Sequence, residues 1–474
     1  MQICFPERAP FALADRRSAF TLVELIVSTG IIALIMLVLV QMTNQTSKTW
    51  RSTAEKVEKF EEARDGFEAM TRRLSQATLN TNWDYLGILS TGSSSQNLIP
   101  RPKLWTQSGF KTFVPVSYGR TADLRFMSGP MSSGVGTANG VSYANGITYD
   151  TSAHNATGTI WPTHGVFFQA PLGVANNTAY DTMNNLLNTW GYFVQAGWDT
   201  NIPNFVSLMQ QPYSNSSSGT GLVRKRWRSR LMEFRQPSEQ MSLYDPAPDS
   251  NTYPHWFAIP LMSTGQAYAG GPTNPPTRPI AENIVALIIR PRLSKNDEDY
   301  YSSSGQPSML CSDYYYDSTQ TINPGPYAAG ASTAQINPKN QLPPIVNVTM
   351  VAIDERSAKR LDERYGTGPN GTNAGSYYMG LDQAVNNVPG CPQFKSLFTN
   401  QNVKDGGGTQ LEGPLGAPSS MIQTDQSDLN YLQQILIHAM DIPGSASQPE
   451  PITYRIFTTN VTIKGAKWSR VETQ

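Results

Sequence analysis

The sequence predicts an α+β protein: one long N-terminal helix, then a large antiparallel β-sheet head with long loop insertions. Three observations predict it. An apolar run near the N-terminus passes, without a proline, into an amphipathic stretch. From about Asn80 onward, short alternating or apolar runs end at Pro or Gly, as strands do. Between them lie long tracts rich in Gly, Ser, Asn, Thr and Pro, which read as surface loops.

The helix comes first. No proline occurs from Phe11 to Ile99, so nothing forces a break. From Leu25 to Val40 no residue is charged, and all but Ser28, Thr29 and Gly30 are Leu, Ile, Val, Met or Ala. With Phe20 to Val23 added, the run spans a ~30 Å hydrocarbon core at roughly 1.5 Å per residue. Residues 20–42 read as the transmembrane part and 43–79 as its amphipathic continuation. There Trp50, Ala54, Val57, Phe60, Arg64, Phe67, Met70, Leu74 and Ala77 recur at spacings of three and four, one face of a helix. Glu55, Lys59, Glu62, Arg72 and Arg73 mark the opposite face. The expected helix, Phe20 to about Leu79, would be roughly 90 Å long. Gly30 and Gly66 are its weak points, at about 1 kcal/mol each relative to Ala.

One carboxylate, Glu24, lies inside the apolar segment. An ionisable group at such a depth costs about 3 kcal/mol and needs a partner, so it marks a functional site. The stretch Arg16-Arg17-Ser18-Ala19-Phe20-Thr21-Leu22-Val23-Glu24-Leu25 resembles the signal of type IV pilins and type II secretion pseudopilins. In that family a prepilin peptidase removes a short basic leader before an aromatic residue, and the new amine is usually methylated. The resemblance implies a leader over residues 1–19, a cut between Ala19 and Phe20, N-methylation of Phe20, and a pilin-like fold. It also implies that Glu24 is the carboxylate that meets the N-terminal ammonium of a neighbouring subunit. A buried carboxylate paired with a buried ammonium is tolerable, whereas either alone is not. Ala19 departs from the family's usual Gly, so slower processing is expected. An ordinary membrane anchor and a removable secretory signal are the bland readings. Against the second, the small-residue site precedes the apolar core instead of following it.

Arg8, Arg16 and Arg17 precede the apolar run, and Lys48, Arg51, Lys56 and Lys59 follow it, so counting cations does not fix the orientation. In the family the leader is cut on the cytoplasmic side. That places the helix in the inner membrane and the head, residues 80–474, in the periplasm or cell exterior. The chain has 474 residues, with Lys and Arg balanced against Asp and Glu at 36 each. No bulk field favours nucleic acid, and charged residues make up only 15%, a composition that suits a loop-rich extracytoplasmic β protein. Of three cysteines, Cys311 and Cys391 would remain in a processed chain; an oxidising compartment would let them pair, and two separate buried thiols are the alternative.

In the head, strands are expected at Ala122–Met127, His164–Ala170, Trp190–Val194, Val223–Phe234, Glu282–Ile289, Pro343–Ile353 and Ile452–Lys464. Helices are expected at Glu355–Tyr365 and Asp428–Met440. The polar tracts are roughly 128–160, 211–221, 264–278, 300–340 and 364–425. Within the fourth strand, Arg224, Arg226, Arg228 and Arg230 share one face. That face could receive an acidic partner, a phosphate or DNA, or it could be the charged surface of a solvated edge strand.

Several stretches together resemble one family of prepilin-like proteins, Verru_Chthon cassette protein C of Verrucomicrobia. They are His164 to Gly173, Arg230 to Glu239, Ile280 to Leu287, Pro343 to Leu361 and Tyr454 to Thr459.

Catalytic chemistry is not expected. His154, His164, His255 and His438 have no metal-ligand spacing, and no nucleophile elbow, Walker loop or dinucleotide fingerprint is present. The acidic run Asp297-Glu298-Asp299 reads as a solvated loop, since it lacks an EF-hand pattern. No cofactor or metal is expected. The expected function is that of a minor pseudopilin in a type II secretion-like or type IV pilus-like assembly. Its expected partners are prepilin peptidase and other pilin-like subunits. The alternatives are a pilin-like DNA-uptake or adhesion subunit, whose head binds DNA or glycan, and a signal-anchored extracytoplasmic enzyme.

Overall fold

The computed structural model of the chain describes residues 21–89, 99–100, 113–133, 147–149, 161, 163–175, 178–180, 182–183, 185–198, 212–213, 222–223, 227–237, 277–303, 310, 316–319, 336–365, 424–438 and 452–469. It is an α+β protein with two compact units, Met1–Val57 and Glu58–Gln474. Helix α1, Leu22–Leu74, contributes to both.

In the first unit the α1 side chains are exposed throughout the apolar run, and Trp50 is 76% exposed. In the second unit α1 buries Ala63, Gly66, Phe67, Met70 and Leu74. Burying Phe67, Met70 and Leu74 stabilises the fold by about 1.5–3 kcal/mol each. The stripe differs from the expected one at its start. Arg64 points to solvent and pairs with Glu68 at 2.7 Å, and Ala63 takes the inward position. The helix also ends five residues early. Gln76 and Ala77 bond back to Arg73 and Leu74 in a tightened last turn, and Thr78 N–H then donates to Gln169 O at 2.9 Å. Ala77 and Leu79 stay in the core as extended chain.

The strands of the head are β1 (Asn82–Leu89), β2 (Ile99–Pro100), β3 (Phe113–Thr121), β4 (Met127–Ser133), β5 (Ile147–Tyr149), β6 (His164–Pro171), β7 (Leu187–Trp198), β8 (Pro212–Tyr213), β9 (Leu222–Val223), β10 (Trp227–Gln236), β11 (Thr277–Glu282), β12 (Ile284–Arg292), β13 (Tyr316–Asp317), β14 (Ile345–Ile353) and β15 (Tyr454–Thr462). Its helices are α2 (Lys295–Ser303), α3 (Glu355–Tyr365) and α4 (Thr424–His438). The largest sheet runs β11-β10-β7-β6-β4-β13, with β5 added in parallel to β4. A second sheet is β12-β14-β15 and a third is β2-β1-β3. All pairings but β4–β5 are antiparallel.

The large sheet is buried on both faces, which explains the unbroken burial of β6 from His164 to Ala170. On one face Val166, Phe168, Trp190, Tyr192, Val194 and Leu231 join the α1 stripe in the main core. On the other, Phe167, Phe193, Met232 and Phe234 form a separate cluster with Met127, Met131 and Trp161. The second sheet packs on the same α1 stripe, with the Phe67 and Phe457 rings 5.9 Å apart.

The expected strand Glu282–Ile289 is two strands in two sheets. Asn283, at φ 59, breaks the run, a backbone region Asn tolerates better than most residues. Its N–H donates to Ser229 O on β10, and its carbonyl accepts from Ile353 N on β14. One residue thus passes the chain from the large sheet to the second. The outer edge of β12 is closed by β6: Leu287 N–H donates to Thr163 Oγ1 at 3.0 Å and Ile289 N–H to His164 Nδ1 at 3.0 Å.

The expected strand Ala122–Met127 is the connection between β3 and β4. Side chains claim its amides: Arg125 N–H donates to Gln169 Oε1 and Phe126 N–H to Ser318 Oγ. An Arg125–Asp317 ion pair at 2.7 Å holds the turn. Residues 128–133, assigned to a polar tract by sequence, belong to strand β4. The expected strand over Val223–Phe234 begins at Trp227, while Leu222–Val223 pairs instead with Pro212–Tyr213. The helix expected at Glu355–Tyr365 lies at those bounds, capped by Asp354, whose Oδ1 accepts from Ser357 N–H.

Candidate functional site

The apolar part of α1 is long and apolar enough to cross a membrane, and none of that window is buried. Thr21 precedes its first turn. Thr21 N–H donates to Glu24 Oε2 at 3.1 Å, Thr21 Oγ1 donates to the same oxygen at 3.0 Å, and Glu24 N–H donates to Thr21 Oγ1 at 3.3 Å. This reciprocal capping box satisfies amides that a helix start otherwise leaves open. It uses only Oε2, so Oε1 keeps its acceptor capacity for a donor outside the helix. The hydroxyls of the segment bond to its own backbone: Ser28 to Leu25 O, Thr29 to Leu25 O and Ile26 O, and Thr43 to Leu39 O. Ala19 and Phe20, the expected cleavage pair, lie outside the described residues.

The arginine face is corrected. Arg224 and Arg226 lie outside the described residues. Strand β10, which carries Arg228 and Arg230, is no solvated edge, because β7 and β11 flank it. The Arg228 side chain is 14% exposed and pairs with Glu282 at 2.7 Å and Glu355 at 3.2 Å. Asn283 Nδ2 donates to Glu355 at 2.8 Å, and Lys59 of α1 reaches Glu282 at 3.6 Å. The cluster ties α1, β10, β11 and α3 together. Burial lowers the Lys59 pKa, but its hydrogen bond to Glu62 and the charges of Glu62, Glu282 and Glu355 outweigh that and raise it.

The other expected site residues separate. Cys311 and Cys391 lie outside the described residues, as do His154 and His255. His164 is fully buried in β6, where Nδ1 accepts from Ile289 N–H, a structural bond. The acidic run is helix α2 and not a loop. Ser294 Oγ caps it with Asp297 at 2.6 Å, Glu298 pairs with Arg292 at 3.2 Å and Asp299 with Lys295 at 3.3 Å. Among the described residues, no three His, Cys, Asp or Glu side chains group as a metal site would.

The feature that sequence reading missed is Glu233 on β10. Its side chain is 0% exposed. Oε1 accepts from Tyr192 Oη at 2.8 Å, from Trp190 Nε1 at 3.1 Å and from Arg73 of α1, and Oε2 accepts from Arg278 of β11 at 2.5 Å. Burial pushes the Tyr192 phenol up strongly, and the Glu233 charge adds to that. Burial lowers the Arg73 pKa, but Tyr192 and Glu233 more than offset it, so the net shift is upward. A signal was present: alternation puts Glu233 on the same face as Leu231, and a charge on an apolar face needs partners. Arg73, placed by sequence on the solvent face of α1, is one of them.

No family model, curated protein or solved structure matches the chain.

Two groups of residues stand out. The start of α1 offers one carboxylate among exposed apolar side chains. The Glu233 cluster fixes the amphipathic half of α1 to the large sheet.

Proposed function

We propose that the chain is a prepilin-like subunit anchored in the inner membrane, a minor pseudopilin of a type II secretion-like or type IV pilus-like assembly. The observation that carries this reading is Glu24. It is the single ionisable residue at the start of an exposed apolar helix, and it stands four positions after Phe20 in Arg16-Arg17-Ser18-Ala19-Phe20-Thr21-Leu22-Val23-Glu24. A helix that is apolar all round belongs in lipid or against other apolar helices.

In this reading, prepilin peptidase cuts between Ala19 and Phe20 and the Phe20 amine is methylated. Assembly proceeds by lateral packing of the apolar half-helices. Oε1 of Glu24 accepts from the ammonium of a neighbouring subunit, so that neither charge stays buried alone. The continuation of α1 into the core of the head, through Phe67, Met70 and Leu74, supports the same reading. The engagement of Arg228 with Glu282 and Glu355 weighs against DNA capture by the arginine face, since those carboxylates already offset its charge.

The test is the N-terminal mass of the protein from cells with and without prepilin peptidase. A chain beginning at methylated Phe20 only when the peptidase is present is the expected result. An N-terminus at Met1 in both, or a cut after the apolar run, would overturn the proposal.

A further inference from the structure

Around Glu233 the charges do not balance. Arg73 and Arg278 both bond its carboxylate. Arg235, two residues along β10, makes no ion pair among the described residues, and its guanidinium lies 6.0 Å from the Trp190 ring. Arg73 lies 5.1 Å from the same ring. Among the described residues, three guanidiniums therefore gather around one carboxylate, a surplus of two positive charges.

The positions are set by register. Arg278 stands opposite Glu233, and Arg235 opposite Trp190. Arg235 and Glu233 share a face, so Arg235 and Arg278 are diagonal cross-strand neighbours, about 7–8 Å apart along the backbone and somewhat closer at Cβ. The Arg278 side chain is 51% exposed, and Arg235 is partly exposed. Among the described residues, strand β11 ends the order of the large sheet, which puts Arg278 on its edge strand.

We propose that Arg235 and Arg278, backed by Arg73, form a docking site for an extended acidic segment of a partner protein. Guanidinium forks match carboxylates in plane and in pairs. Alternate side chains of an extended segment stand about 7 Å apart on one face, the spacing of these two arginines. Carboxylates at positions i and i+2 meet both forks at once, which one small anion does not. Close like charges that repel one another in the free head are relieved when the segment binds, giving selectivity for acidic partners.

The test uses the full chain in detergent micelles and a labelled peptide of alternating Glu and Thr, with a Gln and Thr peptide as control. The acidic peptide is expected to bind about tenfold tighter than the control, and less tightly as salt rises. Arg235→Gln is the decisive variant, because Arg235 has no part in holding Glu233. It should keep the melting temperature and lose most of that preference, while Lys339→Gln on another part of the head retains it; Arg278→Gln should lose the preference too, with a lower melting temperature because Arg278 also bonds Glu233. Equal binding of the two peptides overturns the site. So does an Arg235→Gln protein that binds as the parent does. Inorganic phosphate or duplex DNA displacing the peptide at concentrations below the peptide's own Kd overturns it too, since the site would then be one for phosphate.

Discussion

Arg73, in the last turn of α1, bonds the Glu233 carboxylate on β10, a residue 160 positions further along the chain. Removing one partner strands the other as a buried charge. Glu233→Ala should therefore cost about 3–5 kcal/mol, read as a fall in the urea midpoint of the full chain. Arg73→Ala should also destabilise. The double variant should fall short of the summed losses by about 1–3 kcal/mol, because the two side chains act as one unit. Strictly additive losses would mean that helix and sheet are held together by the apolar stripe alone.

Tyr192 sits in the same cluster, with its phenol pushed up by burial and by the Glu233 charge. A raised pKa in the folded state means that the unfolded chain releases this proton first. The Tyr192 contribution is thus fully present below about pH 10, the ordinary phenol value, and is lost as pH rises above it. Stability should decline there by up to about 1.4 kcal/mol per pH unit from this group. Tyr192→Phe should flatten the alkaline arm of the stability–pH profile while lowering stability at neutral pH, since Glu233 loses a donor. An unchanged alkaline slope would show that other groups set it.

The helix, the strands β6, β7, β10, β12, β14 and β15 and the position of α3 could be read from periodicity, because burial leaves a local pattern. What could not be read depends on partners distant in sequence. Ala122–Met127 alternates like a strand, yet Gln169, Asp317 and Ser318 draw it into a turn. Glu282–Ile289 reads as one run, apolar from Ile284 onward, and the left-handed backbone of Asn283 divides it. Arg73 and Arg228 looked solvent-facing because their carboxylate partners lie on other strands and on α3. At the start of α1 the motif itself was legible, whereas the capping role of Thr21 required the bond lengths.

Gly191 and Gly30 differ in the room around them. A Cβ on Gly191 would lie 2.4 Å from Cδ1 of the Phe167 ring, and nothing lies within 4 Å of one on Gly30. Gly191→Ala must push Phe167 into the Phe193 and Phe234 cluster, at about 1–3 kcal/mol. Gly30→Ala should leave the melting temperature of the isolated subunit unchanged or slightly raised, given Ala's higher helix propensity. Gly66 is intermediate, its Cβ meeting Ala281 Cβ at 3.2 Å, and Gly66→Ala should fall between the two. Calorimetry of the three single variants tests the order.

Thr21 and Glu24 allow capping to be separated from charge. A glutamine at position 24 keeps the reciprocal box, since Gln serves at N3 as Glu does, but it carries no charge to meet an ammonium. Thr21→Ala removes the box, costing about 0.5–2 kcal/mol at the helix start, and leaves the carboxylate in place. If Glu24 acts in assembly, Glu24→Gln should keep the helix content of the full chain in micelles yet lose the high-mass species extracted from native membranes. Thr21→Ala should fray the first turn while retaining part of that assembly. The reverse pattern, with Glu24→Gln assembling normally and Thr21→Ala not, would reduce Glu24 to a cap and leave the apolar surface of α1 as the whole basis of association.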